Sequence, residues 1–137
     1  MILIIDDDGA IRTSLTFKLN RIGYDAQAVA TPKEAMAVVR SVAPELILMD
    51  MNFSLTTSGD EGITLLKQVK IFRPEVPVIL MTAWGSIDLA VKGMQAGAFD
   101  FITKPWNNAA LLMRIETALE LNKKRELEAE SATDEDG

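Results

Sequence analysis

The chain has 137 residues, 48% of them hydrophobic, and contains neither cysteine nor histidine. This length fits one domain with a single core, and its apolar runs are too short to cross a bilayer. Ser-His-Asp and Cys-His catalysis, disulfides and thiolate metal sites are excluded, so any chemistry rests on carboxylates, hydroxyls and amines. The missing cysteine and the absence of a basic, signal-like N-terminus lead us to expect a cytoplasmic protein.

The formal net charge of −6 is concentrated at one end of the chain. Six acids follow Arg125 with no base among them, whereas residues 1–125 hold fourteen acids and fourteen bases. A neutral body argues against direct nucleic-acid binding by this segment. We expect residues 123–137 to form a helix extension and an acidic tail that is disordered after about Glu130.

Five apolar runs alternate with five helical patterns along the chain. The predicted strands are Met1–Ile5, Tyr24–Val29, Leu46–Met49, Val76–Met81 and Ala98–Ile102. The predicted helices begin at Gly9, at Pro32, at about Glu61, after Ser86 as cap, and after Asn107 or Asn108 as cap. Gly23 is a C-cap signal, and Thr31-Pro32-Lys33-Glu34 is a capping box. Short connections between alternating strands and helices predict an α/β, doubly wound (βα)5 three-layer sandwich with a five-stranded parallel sheet.

The third predicted strand ends abruptly in one carboxylate, Asp50. Four apolar residues before it indicate a strand buried on both faces, so Asp50 would point into the crevice where open α/β sheets bind ligands. The alternative is that Asp50 only caps the following turn. That alternative is weakened because the first strand also ends in acids, Asp6, Asp7 and Asp8.

The fourth and fifth predicted strands lead into Thr82 and Lys104, so chain topology gathers these groups with the aspartates at one sheet edge. Three adjacent carboxylates repel one another and favour a cation, and carboxylate and carbonyl oxygens suit Mg²⁺. One carboxylate can then attack a phosphoryl group, while a hydroxyl and an ammonium bind its other oxygens. The pattern indicates phosphoryl transfer to an aspartate.

These strand ends resemble the receiver domain of two-component response regulators, over residues 1–122. The matching segments are Ile4-Ile5-Asp6-Asp7-Asp8, Leu48-Met49-Asp50, Met81-Thr82-Ala83 and Gly97-Ala98-Phe99-Asp100-Phe101-Ile102-Thr103-Lys104-Pro105. The resemblance implies the flavodoxin-like strand order 2-1-3-4-5. It also implies a phosphorelay switch that receives its phosphoryl group from a sensor histidine kinase or a phosphotransfer protein. The resemblance implies no enzyme activity beyond the domain's own phosphorylation and dephosphorylation.

The resemblance assigns a role to each residue of the acidic cluster. Asp50 is implied to be the phosphoacceptor and, with Asp7, a direct Mg²⁺ ligand. Asp6 is implied to bind the ion through water, and Asn52 to contribute its backbone carbonyl.

The resemblance also implies a switch. The Thr82 hydroxyl would turn toward the phosphoryl group while the Phe101 ring moves inward. Lys104 would pair with the phosphate, and the Lys104-Pro105 bond is a candidate cis peptide.

Residues 83–91 and 103–106 most resemble receivers of NtrC-type transcriptional activators. This implies a downstream output domain that is absent from this chain. The helix continuing toward Glu128 either begins a linker or dimerisation helix, giving a possible homodimer, or is an exposed helix end.

Two features depart from the receiver pattern. Phe53-Ser54 replaces the usual Met-Pro, and Gly62 is reached only after an insertion of about four residues, so the surface facing a kinase or phosphatase is expected to differ. Trp84 lies two residues beyond Thr82, near the path of the water that attacks the acyl phosphate. We hypothesise that its bulk slows autodephosphorylation; the alternative is that it packs on the surface.

Three other functions compete with a phosphorylatable receiver. An aspartyl-phosphate phosphohydrolase usually needs an acid two residues after the nucleophile, where this chain has Asn52. A flavodoxin-like cofactor binder would suffer repulsion between its flavin phosphate and residues 6–8. A receiver-like docking module that is never phosphorylated is opposed by the presence of all five key residues.

Overall fold

The predicted alternation of strands and helices is confirmed by the computed structural model, which describes residues 1–51, 60–83 and 87–136. The strands are β1 Ile2–Ile5, β2 Ala26–Val29, β3 Leu46–Asp50, β4 Val78–Ala83 and β5 Asp100–Lys104. The helices are α1 Gly9–Ile22, α2 Pro32–Ser41, α3 Asp60–Phe72, α4 Ile87–Gln95 and α5 Asn108–Asp136. No helix within those ranges is long and apolar enough to span a membrane.

The five strands form one parallel sheet in the order β2-β1-β3-β4-β5, as the resemblance implied. Alternate residues of the central strands point to opposite faces, where two apolar clusters form. One cluster joins Leu3, Ile47 and Leu80 to α2, α3 and α4, and the other joins Ile4 and Leu48 to α1 and α5. The three-layer α/β sandwich is therefore confirmed, with β1, β3 and β4 buried in its middle.

Three helix caps agree with the signals in the sequence. Gly23 follows α1 with φ +116° and donates its N–H to the carbonyl oxygen of Asn20, which a left-handed residue permits at a C-terminus. The Thr31 hydroxyl accepts from the Glu34 N–H at 3.1 Å and donates to the Glu34 carboxylate, so the predicted pair of Thr31 and Glu34 caps α2. Asn107 caps α5 by accepting from the N–H of Ala109 at 2.8 Å.

β4 and β5 begin two residues later than predicted. The Val76 N–H donates to the Arg73 carbonyl oxygen in the turn after α3, and the Ala98 N–H donates to the Gly93 carbonyl oxygen at the end of α4. Val76 is thus engaged by the turn after α3, and Ala98 by α4, rather than by the sheet. Both strands also end two residues later than predicted, because pairing continues from Thr82 to Thr103 and from Ala83 to Lys104, so Thr82 and Lys104 lie within β4 and β5 instead of following them.

The acidic end of the chain is helical to Asp136, where the sequence predicted disorder after about Glu130. The run Glu126-Leu127-Glu128-Ala129-Glu130 consists of good helix formers, and Lys124 lies four residues from an acid on either side. The last fully buried residue of α5 is Ala118, Leu119 still packs against the core, and residues 123–129 are all exposed. The division into a domain over residues 1–122 and an extension over residues 123–137 stays a prediction.

Gly62 allows α3 to pack directly against the residue that follows Asp50. A Cβ atom at position 62 would lie 3.0 Å from the carbonyl oxygen and 3.1 Å from the Cα of Met51. We expect Gly62→Ala to lower the free energy of unfolding by about 1 kcal/mol, because backbone must shift to admit the methyl group. Urea denaturation measures the change.

The matched control for this variant is Gly9→Ala, at the start of α1. There a Cβ atom would meet only the Arg12 guanidinium, at 3.4 Å. No loss of stability is expected at position 9, since alanine favours a helix over glycine. Equal losses for the two variants would show that the contact with Met51 is not the cause.

Candidate functional site

Asp6 and Asp50 are buried side by side at the carboxyl edge of the sheet. Asp50 is the last residue of β3 and is 1% exposed, while Asp6 directly follows β1 and is 0% exposed. β1 and β3 pair in register, Ile5 with Met49, so the next residue of each strand, Asp6 and Asp50, lies at the same height along the sheet. The third acid, Asp7, is exposed at the rim, and carboxylate oxygens of all three residues lie within 4.8 Å of one another.

Backbone hydrogen bonds hold this edge in place. The Asp6 N–H donates to the Val29 carbonyl oxygen at 3.1 Å, and the Met51 N–H donates to the Met81 carbonyl oxygen at 3.0 Å. Sheet bonding therefore continues on both sides of the buried carboxylates. The cluster is built on fixed backbone, which suits a site that must hold charges close together.

Lys104 provides the counter-charge to the buried pair. Its ammonium Nζ lies 3.0 Å from Asp6 Oδ2 and 3.2 Å from Asp50 Oδ1. Burial alone lowers the pKa of Lys104, but the charge of Asp50 and the hydrogen bond to Asp6 outweigh it, so the net pKa is raised. Lys104 is thus a cation at neutral pH. The Lys104-Pro105 peptide bond is cis, as predicted.

Asp6 is further oriented by two groups that follow it in sequence. Its Oδ1 accepts from the Asp8 N–H at 2.9 Å, and its carbonyl oxygen accepts from Arg12 Nη1 at 2.9 Å. Asp8 itself is the N-cap of α1 and accepts from the Ala10 N–H. The roles of Asp8 and Arg12 were not predicted from the sequence, although an acid directly before a helical pattern is a signal for an N-cap.

Thr82 and Phe101 lie on neighbouring strands beside the acidic cluster. Asp50 pairs with Met81 in the sheet, which places Thr82 one residue beyond, and Thr82 pairs with Thr103 of β5. The Thr82 side chain is 0% exposed, and its hydroxyl has no hydrogen-bond partner in the part of the chain that the structure describes. A buried hydroxyl without a partner is costly, so this atom calls for an explanation.

Phe101 is half-buried against the apolar cluster of α2, α3 and α4. Arg114 of α5 donates through Nε to the Phe101 carbonyl oxygen at 3.1 Å and lies 3.5 Å from Asp100 Oδ2. Asp100 in turn accepts from the Phe101 N–H at 2.7 Å. Arg114 therefore ties the backbone of the predicted switch residue to α5, a contact that the sequence did not reveal.

The donor set fits Mg²⁺. Three carboxylates converge, and the Lys104 ammonium pairs with two of them, those of Asp6 and Asp50. Three converging carboxylates and all-oxygen ligands favour a hard divalent cation. Of the predicted site residues, Asn52 and Trp84 lie outside the described residues, as do Ser86 and most of the loop before Gly62.

A family model described as "Response regulator receiver domain" matches residues 2–116. The chain belongs to this family. The receiver domain is 36% identical over 130 residues to the response regulator protein PilR of Pseudomonas aeruginosa, a match that covers 95% of the chain and 28% of PilR. It is 34% identical over 119 residues to the DNA-binding transcriptional regulator NtrC of Salmonella typhimurium, covering 87% of the chain and 24% of NtrC.

Solved structures confirm the receiver fold. The receiver domain superposes on NtrX from Brucella abortus in complex with ADP with a TM-score of 0.84 and 33% identity, covering 93% of the chain and 29% of NtrX. A CheY-like receiver domain protein from Methanospirillum hungatei JF-1 gives a TM-score of 0.82 and 33% identity, covering 90% of the chain and 96% of that protein. The receiver domain thus spans only about a quarter of the curated relatives, 28% of PilR and 24% of NtrC.

Proposed function

We propose that this receiver domain accepts a phosphoryl group on Asp50 in a Mg²⁺-dependent reaction and thereby switches an output. The observation that carries the proposal is the buried Asp50 carboxylate, clustered with those of Asp6 and Asp7 and 3.2 Å from the Lys104 ammonium. A nucleophilic carboxylate, a cation site and a fixed positive charge are the parts that phosphoryl transfer requires. The donor is a sensor histidine kinase, a phosphotransfer protein or a small acyl phosphate.

In the transfer step an oxygen of Asp50 forms a bond to phosphorus while the bond from phosphorus to the donor atom breaks, and its electron pair leaves with the donor. Asp6, Asp7 and Asp50, with the carbonyl oxygen of Asn52, would hold Mg²⁺. The bound ion would supply positive charge that offsets the repulsion between the aspartates and the phosphoryl oxygens. Lys104 already lies beside Asp50. It would give up one of its contacts with the carboxylates and pair with a phosphoryl oxygen instead.

Reversal of the switch needs only water. Its oxygen attacks phosphorus, the bond to Asp50 breaks, and the carboxylate and inorganic phosphate are released. The receiver domain has no histidine, so it cannot carry a phosphohistidine donor within these residues.

The conformational signal arises at Thr82. A phosphoryl group on Asp50 would give its unpartnered hydroxyl an acceptor on the adjacent strand. Rotation of the hydroxyl toward the phosphoryl group frees space for the Phe101 ring to move inward. The shift would alter the surface of β4 and β5 and what that surface binds.

We further place this domain in the cytoplasm as part of a two-component system. PilR and NtrC are about four times as long as the matched segment, and NtrC is described as a DNA-binding transcriptional regulator. The proposed output is therefore transcription regulation through a domain outside this chain. Direct nucleic-acid binding is not proposed for the receiver domain itself, because its body carries no net charge.

The proposed function predicts one Mg²⁺-dependent phosphoryl addition that requires Asp50. The protein is incubated with acetyl phosphate, with and without Mg²⁺, and intact mass is recorded for wild type, Asp50→Asn and the control Asp25→Asn. Asp25 is an exposed acid outside the cluster. We expect wild type and Asp25→Asn to gain one phosphoryl group only with Mg²⁺, and Asp50→Asn to gain none.

Either of two results would overturn this assignment. Addition that persists in Asp50→Asn would place the acceptor elsewhere. No addition to folded wild-type protein would favour the docking module, and constitutive binding partners would then be sought.

The Trp84 hypothesis concerns the lifetime of the phosphorylated state. If the indole hinders the attacking water, Trp84→Ala is expected to speed loss of the phosphoryl group after the donor is removed, while the control Trp106→Phe leaves it unchanged. Intact mass over time gives the decay rate. An unchanged rate in Trp84→Ala would end this explanation.

A further inference from the structure

A pocket of about 260 Å³ lies at the amino-terminal edge of β4 and β5. Two of its lining residues, Pro77 and Phe99, directly precede these strands, whereas Asp50 lies at the carboxyl edge of the sheet. This basal pocket is therefore separate from the acidic cluster. Its walls come from the end of α3, the turns before β4 and β5, and α5, and they include Lys70, Glu75, Phe99, Leu121, Asn122 and Arg125.

Lys70 of α3 brings a fixed ammonium group to the basal pocket. Its Nζ donates to the carbonyl oxygens of Pro74 at 2.7 Å and Val76 at 2.9 Å. An ammonium group has three N–H donors, so one remains for a ligand. The aliphatic part of the side chain lies against Gly97, where a Cβ atom would be 3.7 Å from Lys70 Cγ and Cε. The ammonium is thus held in position before any ligand arrives.

α5 adds two polar side chains that have no partner in the described part of the chain. Arg125 and the half-buried Asn122 line the pocket, and neither makes a hydrogen bond or ion pair there. Burial lowers the pKa of Lys70, the charge of Glu75 opposes this effect, and the charge of Arg125 lowers the pKa further. Two cations therefore repel each other at this pocket, and an anion between them would relieve the repulsion.

The charge and the walls of the basal pocket restrict the kind of anion that fits. Lys70 and Arg125 supply two positive charges and Glu75 removes one, which leaves a net charge of +1. Phe99 is half-buried and Leu121 is 42% exposed, so apolar surface is available beside the cations. A dianion would exceed the positive charge, and a small inorganic ion would leave the apolar surface uncovered.

We propose that the basal pocket binds a small organic monocarboxylate. The carboxylate would accept from Arg125, Asn122 and the remaining N–H of Lys70, and the apolar body of the ligand would lie against Phe99 and Leu121. Pockets for drug-sized ligands begin at about 300 Å³, so a pocket slightly below that volume suits a smaller molecule. Binding here does not depend on phosphorylation.

Benzoate is a suitable probe, and benzamide, its neutral analogue of similar shape, is the control. Each is titrated into wild-type protein without Mg²⁺ or a phosphoryl donor while amide NMR shifts are recorded. Benzoate is expected to bind with a dissociation constant between about 0.1 and 1 mM and to shift Gly97, Phe99 and Asn122. Benzamide should bind at least about tenfold more weakly. Shifts centred on Asp6 and Asp50 instead, or no saturable shifts up to about 20 mM, overturn the inference.

Arg125 allows the contribution of charge to be tested at an exposed position. Arg125→Gln is expected to raise the dissociation constant of benzoate about tenfold, and Arg125→Lys, which keeps the charge, should recover part of that loss. The matched control is Lys124→Gln, an exposed neighbour that does not line the pocket and should leave the constant unchanged. Binding that is unaffected by Arg125→Gln, or equally weakened by Lys124→Gln, contradicts a specific site.

Glu75 tests whether the pocket prefers a single negative charge. Glu75→Gln raises the net charge to two cations without an acid, so it is expected to tighten benzoate binding about threefold. Sulfate, a dianion without an apolar body, should bind wild type more weakly than benzoate. Sulfate binding as tight as that of benzoate, or weaker benzoate binding by Glu75→Gln, would rule out the monocarboxylate.

Discussion

Lys104→Met is expected to lower the free energy of unfolding by about 3 kcal/mol in the absence of divalent cations. Lys104 contacts Asp6 and Asp50 at 3.0 and 3.2 Å, and both carboxylates are buried while the lysine side chain is 24% exposed. Methionine keeps most of the side-chain volume but leaves the carboxylates without their ammonium partner. Partial exposure of the lysine places the loss at the low end of the range for a broken buried pair.

Two further measurements identify the cause of that loss. Mg²⁺ should stabilise Lys104→Met more than wild type, since the ion supplies the missing charge by binding the folded state. The raised pKa of Lys104 means that its contribution is complete below the ordinary lysine range and is lost as the pH rises through the folded-state pKa. The difference between wild type and variant should therefore be constant near neutral pH and shrink in strong alkali.

Urea denaturation provides the free energies, and Lys92→Met on the exposed surface of α4 is the matched control. Its expected change is within about 0.5 kcal/mol. A Lys104→Met variant as stable as this control would mean that the two buried aspartates do not depend on the lysine.

Thr82→Val is expected to have the opposite sign and to raise the free energy of unfolding by about 1 kcal/mol. Valine matches threonine in shape, and the hydroxyl that it replaces is buried without a partner among the described residues. The same change removes the group that would bind the phosphoryl oxygen. The variant should therefore be phosphorylated on Asp50 but no longer switch.

NMR amide shifts of β4 and β5, recorded with Mg²⁺ and acetyl phosphate, measure the switch, and urea denaturation measures stability. Thr103→Val, on the paired position of β5, is the control and should keep the phosphorylation-dependent shifts. A less stable Thr82→Val would indicate that the hydroxyl is used in the resting fold. Retained shifts would remove Thr82 from the switch.

The sequence was sufficient to predict the gathering of the site. Asp6, Asp50 and Thr82 directly follow apolar runs, Lys104 follows one after Thr103, and parallel strands bring their carboxyl ends to one edge. Their proximity follows from topology alone and needs no knowledge of side-chain packing. The sheet order came from the resemblance to receiver domains, because alternation of strands and helices fixes parallel pairing without fixing which strands are neighbours.

Contacts made by long side chains were not predictable in this way. Arg12 reaches a carbonyl oxygen six residues earlier, and Arg114 reaches one thirteen residues earlier on another element. Such contacts depend on the angle at which each helix crosses the sheet, which local sequence does not encode. The starts of β4 and β5 were misplaced for a related reason, since the N–H of Val76 bonds to Arg73 in the turn after α3 and the N–H of Ala98 bonds to Gly93 of α4.

The bond from Arg114 to the Phe101 carbonyl oxygen makes α5 a lever. The helix has 29 residues and is therefore about 44 Å long, with Arg114 near one end. About 33 Å of helix separates Arg114 from Asp136, so a rotation of about 5° at Arg114 would displace that far end by about 3 Å. A movement of β5 too small to disturb the packed sheet would therefore produce a larger displacement of the C-terminal end of α5.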